Sequence, residues 1–172
     1  MKSIRGIYKI GKGPSSSHTM GPEQAAKVFR AEHPEADRFE VRLYGSLSKT
    51  GVGHGTDQVL RQVLAPIETN IVFSKETPAD MRHPNTMDFL AFHGQERTGF
   101  MRVESVGGGD IAIQGRPVGR EDEVYPENSF AEIADFCKWR YISTLSEYVE
   151  MNEGPEIWEF LSEVWKVMKQ SI

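Results

Sequence analysis

The 172 residues carry 20 Lys and Arg against 25 Asp and Glu, a net charge of −5. That balance, with no long basic run, argues against a general nucleic-acid surface. One cysteine, Cys137, excludes an internal disulfide and any multi-thiolate zinc or iron–sulfur site held by this chain alone. No apolar run approaches the roughly 20 residues that span a bilayer, and the basic opening residues lack the apolar core of a secretory signal. The expectation is a cytoplasmic protein with no membrane partner, of a length that suits one domain or one domain with an appended segment.

In chain order, the first distinctive stretch is GKGPSSSHTMGP, Gly11 to Pro22. Its glycines and prolines predict a loop without regular structure that buries almost nothing. Pro22 suits a first helical turn, and EQAAKVFRAEH then places Ala25, Ala26 and Phe29 on one side of a helix that PEAD ends. FEVRLY alternates Phe39, Val41 and Leu43 with Glu40, Arg42 and Tyr44, the pattern of a half-buried strand.

GSLSKTGVGHGTD reads as a second glycine-rich loop, with Thr56 placed to cap a helix over DQVLRQVLA. NIVFS predicts a short strand. MDFLAFHG and RTGFMRVESV predict a hairpin turning near Gly94 and Gln95. GGGDIAIQG suggests a kinked or bulged strand whose glycines admit a close neighbour. From Ser129 the chain turns helical: Ser129 with Glu132, and Thr144 with Glu147, have capping-box spacing. In the last helix Ile157, Leu161, Val164, Trp165 and Met168, with Trp158 beside them, recur at helical spacing and are assigned to core packing. The fold class expected is α+β, a mixed sheet flanked by helices with a helical C-terminal arm. The domain reading is 1–128 for the mixed part and 129–172 for a helical connector.

Chemistry concentrates on the two glycine-rich stretches. A loop entering a helix exposes free N–H groups and the positive dipole end, and hydroxyls from Ser15, Ser16, Ser17 and Thr19 would complete a cradle for a carboxylate or phosphate. The second stretch fails as a Walker A loop, because Lys49 follows a serine, and it lacks the dinucleotide fingerprint. It does offer His54, an imidazole able to titrate near neutrality. His83 and Asn85 lie in a turn-like HPN triplet. His33 and His93 read as a helix-terminal charge and a hairpin-end residue. No short His-x-x-x-His spacing supports a metal hydrolase, and no G-x-S-x-G elbow supports a serine nucleophile.

Taken together, GKGPSSSHTMGP, YGSLSKTGVGHGTD, HPN and SVGGGDI, in this order, resemble the β domain of iron–sulfur-dependent L-serine dehydratases. The tail resembles the segment joining β to α in the single-chain form. The resemblance implies conversion of L-serine to pyruvate and ammonia. It also implies a 4Fe-4S cluster held by an α domain or subunit and not by this chain, acting as Lewis acid on the serine hydroxyl. It puts the catalytic histidine at His54, the S-S-S-H-T histidine at His18, an anion cradle at Ser15, Ser16, Ser17 and Thr19, and the H-P-N pair at His83 and Asn85. Thr86 and Asp110 depart from the family pattern. The partners expected are L-serine or a similar small anion and the α region, with a homodimer compatible; the chain alone is expected to be inactive. The alternative is a non-catalytic regulatory module binding serine or another small anion, as a related module does in some D-3-phosphoglycerate dehydrogenases.

Overall fold

Alternation along FEVRLY organises the sheet. Phe39, Val41 and Leu43 of β1 (Arg38–Leu43) are wholly buried, while Glu40 and Arg42 point to the opposite face. In the computed structural model, which describes residues 1–11, 15–117 and 123–171, β1 lies inside a five-stranded mixed sheet. β2 (Glu68–Phe73) pairs parallel to it, Val41 facing Ile71, and β3 (Thr86–His93) pairs antiparallel on the other side, Val41 facing Phe89. β4 (Glu96–Gly107) and β5 (Asp110–Ile113) continue by antiparallel steps, so the order is β2-β1-β3-β4-β5. The class is the expected α+β.

A parallel pair needs a crossover, and the segment between β1 and β2 folds as α2 (Gly45–Thr50) and α3 (Thr56–Leu64). With α1 (Gly21–Glu32), α3 covers one face of the sheet: Ala25, Ala26, Phe29, Leu60 and Leu64 join Phe39, Phe89, Met101 and Val103 in one core. The Phe29 ring lies 5.6 Å from Phe39 and 5.4 Å from Phe89, centroid to centroid. On the opposite face Asp88 is buried and receives both Arg102 Nε (2.6 Å) and Nη2 (2.8 Å), plus the Tyr44 hydroxyl (3.0 Å). Arg102 also donates to Asp80 at 2.6 Å, so this buried charge is paired rather than isolated.

Four local expectations need correction. Ser16–Met20 is not loop but a π-helical turn running into α1, and it buries His18 and Thr19. The first half of the second glycine-rich stretch is α2, not loop. Thr56 does not cap α3; Gly55 precedes the helix, and the Thr56 hydroxyl donates elsewhere. At the triple glycine the expected irregularity is present, a register shift between Ser105 and Gly107 in the β4–β5 ladder, but Gly108 and Gly109 form the turn into β5, and Gly107, Gly108 and Gly109 have φ of 105°, 60° and 83°. Nothing lies within 4 Å of a Cβ built on Gly107, so left-handed backbone, and not a close neighbour, is what calls for glycine there.

Contacts divide the chain into two units, Gly11–Val118, which holds the sheet, and Met1–Ile10 with Gly119–Ile172. The second contains α4 (Phe130–Arg140), α5 (Leu145–Glu153) and α6 (Ile157–Gln170). Both capping boxes form. Ser129 Oγ accepts from Glu132 N at 3.3 Å and Thr144 Oγ1 from Glu147 N at 3.2 Å. Each glutamate reaches back one residue beyond the cap, to Asn128 N and Ser143 N.

The first residues join this unit through Glu153, which accepts from Ser3 Oγ (2.7 Å), Ile4 N (2.8 Å) and Tyr125 OH (2.8 Å). Burial pushes the Glu153 carboxyl up, but the Ser3, Tyr125 and Ile4 hydrogen bonds with Arg5 outweigh it and hold the pKa below the usual range. The α6 stripe is core only along the Ile157–Val164 line. Trp158 and Trp165 are rotated from that line around the helix and Met168 lies on it near the helix end; all three remain exposed, which corrects the core assignment for them. Among the described residues no helix is long and apolar enough to cross a membrane.

Phe89 and Phe100 test the core assignment, being a wholly buried and a half-exposed phenylalanine on adjacent strands. Phe89→Ala is expected to cost about 3–5 kcal/mol, and Phe100→Ala far less, in urea unfolding monitored by circular dichroism.

Candidate functional site

The site begins with a helix cap. Ser15 is extended, its Oγ accepts from His18 N at 3.2 Å, and its carbonyl accepts Thr19 N at 2.9 Å and the Thr19 hydroxyl. The wide turn that follows carries one residue more than an α-helical turn. It turns His18 and Thr19 inward, leaving Ser16 exposed and Ser15 and Ser17 half-buried. Pro14, one of the prolines of this stretch, lies outside the described residues.

The second segment is positioned by Gly45. Its φ is +53°, and a Cβ there would collide with the Pro84 carbonyl oxygen, which instead accepts Ser46 N at 2.7 Å. Ser46 and Thr50 then share one face of α2, and both reach the His18 ring: Nε2 lies 3.2 Å from Ser46 Oγ and 3.0 Å from Thr50 Oγ1. On the other side of the ring, Nδ1 lies 3.0 Å from Ser17 Oγ and 3.4 Å from Ser15 Oγ. Thr56 Oγ1 donates to the His18 carbonyl at 2.7 Å. His54, in the turn between α2 and α3, brings its half-buried ring to 4.8 Å from that of His18 at a 48° tilt. The two imidazoles therefore meet on one site. Among the described residues, the His54 ring nitrogens have no hydrogen-bond partner.

Their environments differ in consequence. Burial lowers the His18 pKa first, His54 adds to the lowering, and the Ser46 backbone opposes both. His18 is thus a neutral imidazole at neutral pH.

The HPN turn is tied to this assembly by its backbone. Pro84 holds Ser46, Asn85 O accepts Ser105 N at 2.9 Å, and Thr86 Oγ1 donates to His83 O at 2.6 Å. His83 Nδ1 is occupied by Asn85 N at 3.1 Å, so the His83 ring supports its own turn. Asn85 Oδ1 and Ser105 Oγ are buried without a partner among the described residues, and Ser105 packs against Gly21 at the start of α1. Two unpaired buried oxygens beside the histidine turn are the mark of a binding region more than of a finished core. Among the other histidines, His33 packs on Phe29 at 4.4 Å and His93 Nδ1 meets Glu35 O at 2.9 Å.

Ser46, Thr50 and Ser105 were not picked out by sequence reasoning, and Thr56 was read only as a helix cap. The four-residue spacing of Ser46 and Thr50 is a signal, but only once GSLSKT is known to be helical. Among the described residues no group of three or more His, Cys, Asp or Glu side chains could hold a metal. The donor set here does not fit an iron–sulfur cluster.

Residues 3–65, which include both imidazoles and all their hydroxyl partners, match the family described as serine dehydratase beta chain. The likeness to L-serine dehydratases extends over the full chain. L-serine dehydratase TdcG of Escherichia coli is 30% identical across all of this chain and 48% of that protein. L-serine dehydratase 1 of the same organism is 29% identical with the same coverage, and L-serine dehydratase of Haemophilus influenzae is 29% identical across all of this chain and 49% of its own. The chain carries an L-serine dehydratase beta region. This beta region spans about half the length of the curated relatives it matches.

His18 is expected to titrate below the ordinary histidine value of 6.5. His54→Gln should raise it part of the way back, since burial, the larger cause, remains; proton NMR titration of the imidazole reads this. The linkage sign follows. The unfolded chain takes up the His18 proton first, so stability is full above about pH 6.5 and falls as pH drops through the folded pKa. His18→Gln should flatten the stability profile in that window in urea unfolding measured across pH.

Proposed function

We propose that the chain is the β portion of an L-serine ammonia-lyase, converting L-serine to pyruvate and ammonia at an active site completed by an α partner. The observation that carries this reading is the His18–His54 pair at 4.8 Å, set against the Ser15–Ser17 hydroxyls. Elimination from serine requires loss of the Cα proton and of the hydroxyl as water; hydrolysis of the resulting enamine and its imine then returns a water and releases ammonia. An imidazole whose ring nitrogens are not already hydrogen-bonded suits the proton removal. His54, whose ring nitrogens have no partner among the described residues, is the catalytic base in this reading, with His18 beside it.

The substrate carboxylate is assigned to the turn. The helix start supplies a positive dipole end, Ser15 and Ser16 supply hydroxyl donors, and Ser17, whose Oγ lies 3.0 Å from His18 Nδ1, lines the cradle. Thr19, whose hydroxyl is spent on the Ser15 carbonyl, shapes the turn. The His83–Asn85 turn closes the site through Pro84 O, which accepts Ser46 N, and Asn85 O, which accepts Ser105 N, and the unpaired Asn85 Oδ1 is an acceptor for a donor such as the substrate ammonium. A 4Fe-4S cluster, which would supply Lewis-acid chemistry toward the serine hydroxyl, belongs in this reading to the α partner. On that assignment the chain alone is inactive.

The test is His54→Ala in the enzyme reassembled with its α partner. Turnover should fall by about 100-fold or more with serine affinity little changed. Weakened serine affinity with turnover intact would replace the catalytic reading by that of a regulatory module sensing serine.

A further inference from the structure

We infer that α2 fixes the ring proton of His18 on Nε2, so that Nδ1 is a permanent acceptor for the Ser17 hydroxyl, with Thr50 as the positioning residue.

The inference comes from counting protons. Thr50 has one hydroxyl hydrogen, and its Oγ1 lies 2.9 Å from the Ser46 carbonyl oxygen, to which it can only donate. With that hydrogen spent, Oγ1 meets His18 Nε2 at 3.0 Å as an acceptor. The contact is attractive only if Nε2 carries the proton; an unprotonated nitrogen would set lone pair against lone pair. Ser46 Oγ, at 3.2 Å, is a second oxygen around the same nitrogen.

A neutral imidazole with its proton on Nε2 has a bare Nδ1. That nitrogen faces the serine turn, where Ser17 Oγ is the nearer hydroxyl at 3.0 Å and Ser15 Oγ, already accepting His18 N, the farther at 3.4 Å. Ser17 therefore donates into the ring and leaves its oxygen lone pairs toward the cradle. Both His18 nitrogens are committed, one to each segment of the site, while those of His54 have no partner among the described residues. His18 acts by holding Ser17 in one orientation, and proton exchange with a substrate falls to His54. This division of labour rests on the proposed function; the tautomer does not.

Long-range nitrogen–proton correlation NMR of the 172-residue chain, at a pH where both histidines are neutral, reads the tautomer directly. The His18 signals are identified by their loss in His18→Gln. The expected pattern is a protonated Nε2 and an unprotonated Nδ1. Thr50→Val, which keeps the shape and removes the acceptor, should move the two nitrogen shifts toward the averaged values of a free imidazole, and Thr50→Ser should restore the wild-type pattern. A proton found on Nδ1 in the wild type, or a Thr50→Val spectrum identical to wild type, overturns the inference. Failure of the His54→Ala turnover test would leave this tautomer standing and sink the catalytic reading alone, so the two can fail separately.

Discussion

Burying an imidazole without partners is costly, because each ring nitrogen loses its hydrogen bond to water. His18 escapes that cost only because two separate segments come to it: the Ser15–Ser17 hydroxyls on the Nδ1 side and Ser46 with Thr50 on the Nε2 side. Thr56 fastens the His18 carbonyl as well. His18 is thus the fastener between the π-helical turn, α2 and the start of α3. Whatever the site binds, its walls are held at the spacing this side chain sets.

The sheet decides where that fastener sits. β1 leads directly into α2, and its ladder with β3 extends past the strand end, where Tyr44 N donates to Thr86 O at 3.0 Å. The HPN turn before β3 therefore lies beside the start of α2, and the Pro84 carbonyl sets the path of Gly45 and Ser46. Thr86, a departure from the family pattern, is accommodated by donating its hydroxyl to His83 O. The aromatic core of Phe29, Phe39 and Phe89 stiffens α1 and the strands from which these turns emerge. Rigid elements presenting short polar turns are what a small charged substrate needs, since the geometry of the groups that hold it is set before it arrives.

The helical unit shows a different economy of polar groups. Glu153 gathers a serine hydroxyl, a backbone N–H, a tyrosine hydroxyl and an arginine, and so ties the first residues to α5. Ser129 and Thr144 cap α4 and α5, while Trp139, Trp158 and Trp165 all remain well exposed.

The sequence by itself determined the elements whose signal is local: the alternation in β1, the amphipathic α1, the hairpin at Gly94, both capping boxes and the mixed α+β class. Period-two and helical apolar patterns report burial of a face directly, and capping residues act within four positions. It also marked His18, His54 and the serine run as chemistry without a folding purpose. Only the tertiary structure decided that GSLSKT is a helix, that the serine run coils into a wide turn, and that Thr56 bonds across the chain and not to its own helix. Glycine and serine have weak helical preference, so these segments take their shape from the contacts they make: the Pro84 carbonyl for one, the buried His18 ring for the other. Those partners lie far away in sequence, and no local pattern announces them.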